Sequence, residues 1–122
     1  MVDFELRRKV AEMRGFSNFK EDPEGFHGQG GRDCRLHAKA PNVPYTTCIP
    51  EWECDLDAAG DLWAEMVAAG KTLSIDDDGF CLSAILSPKV SIHIEFEQVK
   101  DPKERLARAI ALIWVAWKEG KA

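Results

Sequence analysis

Long apolar runs are missing from this 122-residue chain, and no segment approaches the roughly 18 consecutive apolar residues that a membrane-spanning helix requires. The opening residues, MVDFELRRKVAEMRGF, are charged throughout and lack the continuous apolar stretch of a secretory leader. Both absences lead to the expectation of a cytoplasmic protein with no membrane contact. There is no internal repeat and no low-complexity tract. Cysteine is sparse: Cys34, Cys48, Cys54 and Cys81 are the whole complement. With no export signal and a core that does not need staples, free thiols are expected rather than disulfides. A chain of this length makes one domain, residues 1–122, and buries roughly two-thirds of its unfolded surface.

Basic residues are also missing where they would be most noticed. Between Pro44 and Gly70 there is neither Lys nor Arg, and from Glu51 to Asp78 nine carboxylates face only Lys71, a local charge of −8 inside a chain of net −5. The acids are Glu51, Glu53, Asp55, Asp57, Asp61, Glu65, Asp76, Asp77 and Asp78. The flanks are close to neutral.

Periodicity places the elements. Leu6, Val10 and Met13 recur at helical spacing after Asp3, so residues 3–14 read as a short amphipathic helix stopped by Gly15. Residues 15–44 have no clear period, and a loop with one or two short strands is expected, with 32–38 as an edge strand. Asp55 precedes Leu56, Ala59, Leu62, Trp63, Met66 and Val67, a helical stripe closed by Gly70, which predicts a helix over 56–69. KTLSIDDDGFCLSAILS reads as strand, Asp78-Gly79 turn, strand. A second turn near Ser87-Pro88-Lys89 leads into VSIHIEFEQV, where Val90, Ile92, Ile94 and Phe96 alternate with polar residues. Residues 80–86 are apolar on both faces and predict a central strand covered on two sides. Asp101-Pro102-Lys103-Glu104 opens a helix over 102–119, the expected main core helix. The class is α+β, drawn as a three-layer α/β/α-like sandwich around a small antiparallel sheet of three or more strands.

With the elements placed, the chain resembles the phage ABA sandwich domain, a family of small phage and prophage proteins with helices packed on both sides of a small antiparallel sheet. VAEMRGF is similar to the family's opening helix with its Gly-Trp ending. VPYTTCIPEWECDLDAAGDLWAEM is similar to its Pro-x-Tyr-Ser/Thr segment leading to an acidic helix, and DPKERLARAIALIWVAW to its Ala-rich last helix. The insertion IPEWEC and the acidic middle depart from the family pattern. The resemblance implies no enzymatic activity and no catalytic residue.

Several constellations invite chemistry. His93-Ile94-Glu95 matches the His-x-Glu half of a zinc deaminase signature, but the Pro-Cys-x-x-Cys half is missing, so a solvated pair on one strand face is the plainer reading. His27, Cys34, His37, Cys48 and Cys54 offer zinc donors, with Cys34-x-x-His37 as a half-site, although Cys48 and Cys54 are spaced too widely for a usual second half. Asp76-Asp77-Asp78-Gly79 packs its acids side by side, unlike a calcium loop. Gly28-Gln29-Gly30-Gly31 lacks the Lys-Ser/Thr of a phosphate loop. Trp114 and Trp117 fit the core. Trp52, between Glu51 and Glu53 in a Pro-flanked loop, reads either as an exposed anchor ringed by acids or as a loop residue folded onto the sheet.

A strongly acidic segment repels phosphate, which disfavours direct nucleic-acid binding. It suits a protein that docks on another protein's basic groove. The resemblance implies a target among host defence complexes, as for anti-CRISPR inhibitors. The expected partner-binding set is Glu51, Trp52, Glu53, Asp55, Asp57, Asp61, Asp76, Asp77 and Asp78, on a non-enzymatic protein without cofactor or metal. Two alternatives stand beside it: a phage accessory protein that binds a small ligand or forms a homodimer, and a zinc or thiol enzyme using Cys34, His37 or His93.

Overall fold

Asp3, Asp55 and Asp101 each stand immediately before a helix, and each carboxylate accepts from backbone N–H groups the helix leaves unpaired. The donors are Leu6 at 3.0 Å, Asp57 at 3.0 Å, and Lys103 and Glu104 at 2.8 and 3.2 Å. The computed structural model describes residues 3–27, 33–77, 81–86, 90–95 and 99–120. Its helices are α1 (Phe4–Met13), α2 (Leu56–Ala68) and α3 (Pro102–Lys118), close to the spans predicted from periodicity and caps. Gly15 ends α1 with φ +92°, a left-handed conformation that a side chain disfavours, and a Cβ there would lie 3.4 Å from Pro41.

Two antiparallel sheets complete the α+β architecture. β1 (Ser17–His27), β2 (Asp33–Lys39) and β3 (Thr46–Cys48) form one in the order β1-β2-β3. β4 (Leu73–Asp77), β5 (Cys81–Leu86) and β6 (Val90–Glu95) form the other in the order β4-β5-β6. The strand expected over 32–38 is β2, but it lies in the middle of its sheet rather than at an edge, and the 11-residue β1 replaces the loop expected before it. Register shifts between Ser17 and Lys20 and again between Glu21 and Phe26 destroy the period-two alternation that would have announced β1. Asn18, at φ +55°, lies within the first irregularity.

β5 is central, as its apolar run predicted, with Asp77 opposite Leu82 on one side and Leu86 opposite Val90 on the other. Its cover is one-sided. Leu82, Ala84 and Leu86 are buried, whereas Ile85 on the opposite face is 44% exposed. The expected turns at Gly28–Gly31, Asp78-Gly79 and Ser87–Lys89, and the strand end at Phe96, lie outside the described residues.

α3 is the hub. It packs against β5, β6, α1 and α2. Buried residues lie all around it: Ala107, Ala109, Ile110, Ala111, Ile113, Trp114, Val115 and Ala116. A helix apolar on every side belongs inside the fold, and its alanines let neighbours approach closely. α1 and α2 flank it in the same sense. Asp3 pairs with Arg108 at 2.8 Å near the start of α3, and Lys9 with Glu119 at 3.1 Å at its end. Glu65 accepts from the Trp114 indole and lies 3.6 Å from Lys118. On α2 the buried stripe is narrower than the sequence suggested: Ala59, Leu62 and Met66 are inside, but Val67 is 57% exposed. One apolar cluster joins Leu36 and Ala38 from the first sheet, and Ile49 just after it, to Leu82, Leu86 and Ile94 from the second.

Candidate functional site

The acidic segment begins as a tight turn. The N–H groups of Cys54 and Asp55 both donate to the Glu51 carbonyl, at 3.1 and 2.7 Å. Trp52 and Glu53 go inward, to 2% and 1% exposure.

Trp52 is therefore a core residue, which corrects its reading as an exposed anchor. Its ring meets Phe16 edge-on, with centroids 5.9 Å apart and planes at 86°. The Arg14 guanidinium lies 5.8 Å from its centroid. Glu53 is corrected in the same way. Its carboxylate takes the Arg7 guanidinium in a forked pair, Nε at 3.0 and 3.2 Å and Nη2 at 2.7 Å, and also accepts from the Asp3 N–H at 3.2 Å. Both side chains are fully buried. Burial opposes the Arg7 charge, but the hydrogen bond and charge of Glu53 outweigh it and raise the guanidinium above its ordinary value. Glu51, at 3.7 Å, reinforces that pull. This clamp was not foreseen. Its only sequence signal is that Arg7 lies between Leu6 and Val10 on the inward side of α1.

The remaining acids gather where α2 and α3 begin. Glu51, Asp55, Asp57 and Asp61 line a recess of about 250 Å³ whose floor is Ile49, Pro50 and Ala58, and no basic residue lines it. A second recess of about 370 Å³, lined by Asp55, Asp57, Asp101, Glu104, Lys103, Cys54 and Leu56, adjoins it across Asp55 and Asp57. Asp55, Asp57, Asp61 and Asp101 are exposed. Part of this acidity is structural. Asp55 and Asp101 are caps, and Asp57 and Glu104 lie in first turns, where the helix dipole favours a carboxylate. Asp61, a turn further along α2, has neither role. Asp76 is exposed on β4 and lines neither recess. The side chains of Asp77 and Asp78 lie outside the described residues.

The cysteines divide. Cys48 is disulfide-bonded, which corrects the expectation of free thiols and removes it from the candidate zinc donors. Strand pairing decides which sulfurs meet, and sequence spacing does not report it. Cys54 is free and half-buried, at the rim of the second recess. Burial, followed by the charges of Glu53 and Glu51, pushes its thiol up to about 12, the opposite of what a nucleophile needs. Among the described residues no group of three or more His, Cys, Asp or Glu is placed to hold a metal ion. His37 lies on β2 opposite Cys48. The side chains of His27, Cys34, His93 and Glu95 lie outside the described residues. None of the described helices is long and apolar enough to cross a membrane.

No family model, curated protein or solved structure matches the chain.

Proposed function

We propose that the protein is a non-enzymatic interaction protein whose acidic face, built from Glu51, Asp55, Asp57 and Asp61, docks on a basic, nucleic-acid-binding surface of another protein and occludes it. The observation that carries this reading is the recess those four carboxylates line, with no Lys or Arg among its lining residues. Carboxylates gathered on one rigid helix end produce a local negative potential that steers a cationic surface into register. The half-buried Pro50 and Ala58 on its floor supply the dry contact that charge alone does not. The resemblance to a phage family directs the proposal toward a host defence complex, an RNA-guided nuclease being the natural first target.

Because Trp52 and Glu53 are inside, variants at those positions perturb the fold instead of the face. The informative variant is Asp57→Lys with Asp61→Lys, since neither side chain caps α2 or joins the Arg7 clamp. The wild type is expected to retain RNA-guided nuclease complexes at low salt and release them at high salt. The variant, folded by circular dichroism, is expected to retain none. Equal retention by both proteins would remove the acidic face from the interaction.

A further inference from the structure

Beside the acidic recess lies another, of about 380 Å³, and its walls differ in kind. Phe16, Pro41, Pro50 and the edge of Trp52 make one part of its wall, and Asn42, the cation Arg14 and the anion Asp61 make the other. These two side chains make no ion pair or hydrogen bond with each other or with any other described residue. Arg14 is held only by the faces of Trp52 and Trp114, at 5.8 and 6.0 Å. Elsewhere among the described residues the buried guanidinium groups, and the partly buried one of Arg108, are matched: Arg7 to Glu53, Arg108 to Asp3, and Arg105 to the Val99 and Lys100 carbonyls. The wall is also built in advance. The left-handed turn at Gly15 and its close approach to Pro41 fix the path between Arg14 and Phe16.

We propose that this recess binds a zwitterionic small molecule, an α-amino acid with an apolar side chain, whose carboxylate pairs with Arg14, whose ammonium pairs with Asp61, and whose side chain lies along Phe16, Pro41 and Pro50. The volume is that of a small-ligand site. A free anion would meet Asp61 and a free cation would meet Arg14, so a ligand carrying both charges answers both walls best. The guanidinium is held by aromatic faces, which leaves its N–H fork for a carboxylate.

The test is calorimetric titration of the full chain with L-phenylalanine, phenethylamine and hydrocinnamate. The amino acid is expected to bind saturably, and each single-charge analogue about tenfold or more weakly. Arg14→Met should abolish the preference over phenethylamine, and Asp61→Asn the preference over hydrocinnamate. Asp61 is exposed on α2, so its variant is expected to fold as the wild type does, checked by thermal unfolding. No saturable heat with L-phenylalanine, or equal affinity for all three compounds, overturns the proposal. Asp57 lies outside this recess, so Asp57→Lys should leave the titration unchanged, and a failure here is separable from a failure of acidic-face docking.

Discussion

Removing the Glu53 carboxylate would leave the fully buried Arg7 as a cation without its forked partner, and breaking such a pair costs about 3–5 kcal/mol. Glu53→Ala is expected to lose that much in denaturant unfolding. The double change Arg7→Met with Glu53→Leu should lose less than the two single changes together, because it removes both buried charges at once. Beside them, Cys54 at about 12 is almost wholly protonated near neutrality. Its alkylation in the native protein at mildly alkaline pH should run roughly a thousandfold slower than in the unfolded chain. An equally fast native reaction would mean that burial and the charges of Glu53 and Glu51 do not keep the thiol protonated. Asp3 titrates the other way. Burial raises its carboxyl, but the Leu6 N–H and the Arg108 guanidinium together hold it below its ordinary 3.8. Its stabilising contribution is therefore complete above that ordinary value and disappears as pH falls through the lower folded one. Asp3→Asn, which keeps a capping oxygen, should flatten the acid end of the stability curve and leave its shape near neutrality unchanged.

Helices were the legible elements because each announces itself locally: an Asp cap, an apolar stripe, a glycine stop. Of the first sheet only β2 was legible, as the strand expected over 32–38, because β1 carries two irregularities in its pairing and β3 is only three residues long. The direction of Trp52 and Glu53 was hidden for a related reason. It is set by two N–H groups converging on the Glu51 carbonyl, a turn that leaves no period in the sequence. What the sequence did carry was the crowding of acids at the start of α2, and the structure retains Glu51, Asp55, Asp57 and Asp61 of that set on one recess. Cap and surface charge separate at Asp55. Asp55→Ala should cost about 1 kcal/mol in stability, whereas Asp55→Asn keeps the cap and should cost far less. Any loss of partner binding in the Asn variant therefore reports charge alone.

At the scale of the molecule, three helices run in one sense with their capped ends toward the acidic segment. Their dipoles make that end of the fold a favourable place for carboxylates, and the outer ones remain available to a partner. In the proposed function this face takes the place of nucleic acid on a basic groove. The most direct measurement is the fluorescence anisotropy of a labelled target strand bound to an RNA-guided nuclease complex as the protein is added at moderate salt. The account predicts displacement of the strand by the wild type, weakening steeply as salt rises, and none by Asp57→Lys with Asp61→Lys. A strand that stays bound while the protein associates, or equal displacement by the charge-reversed variant, would contradict it.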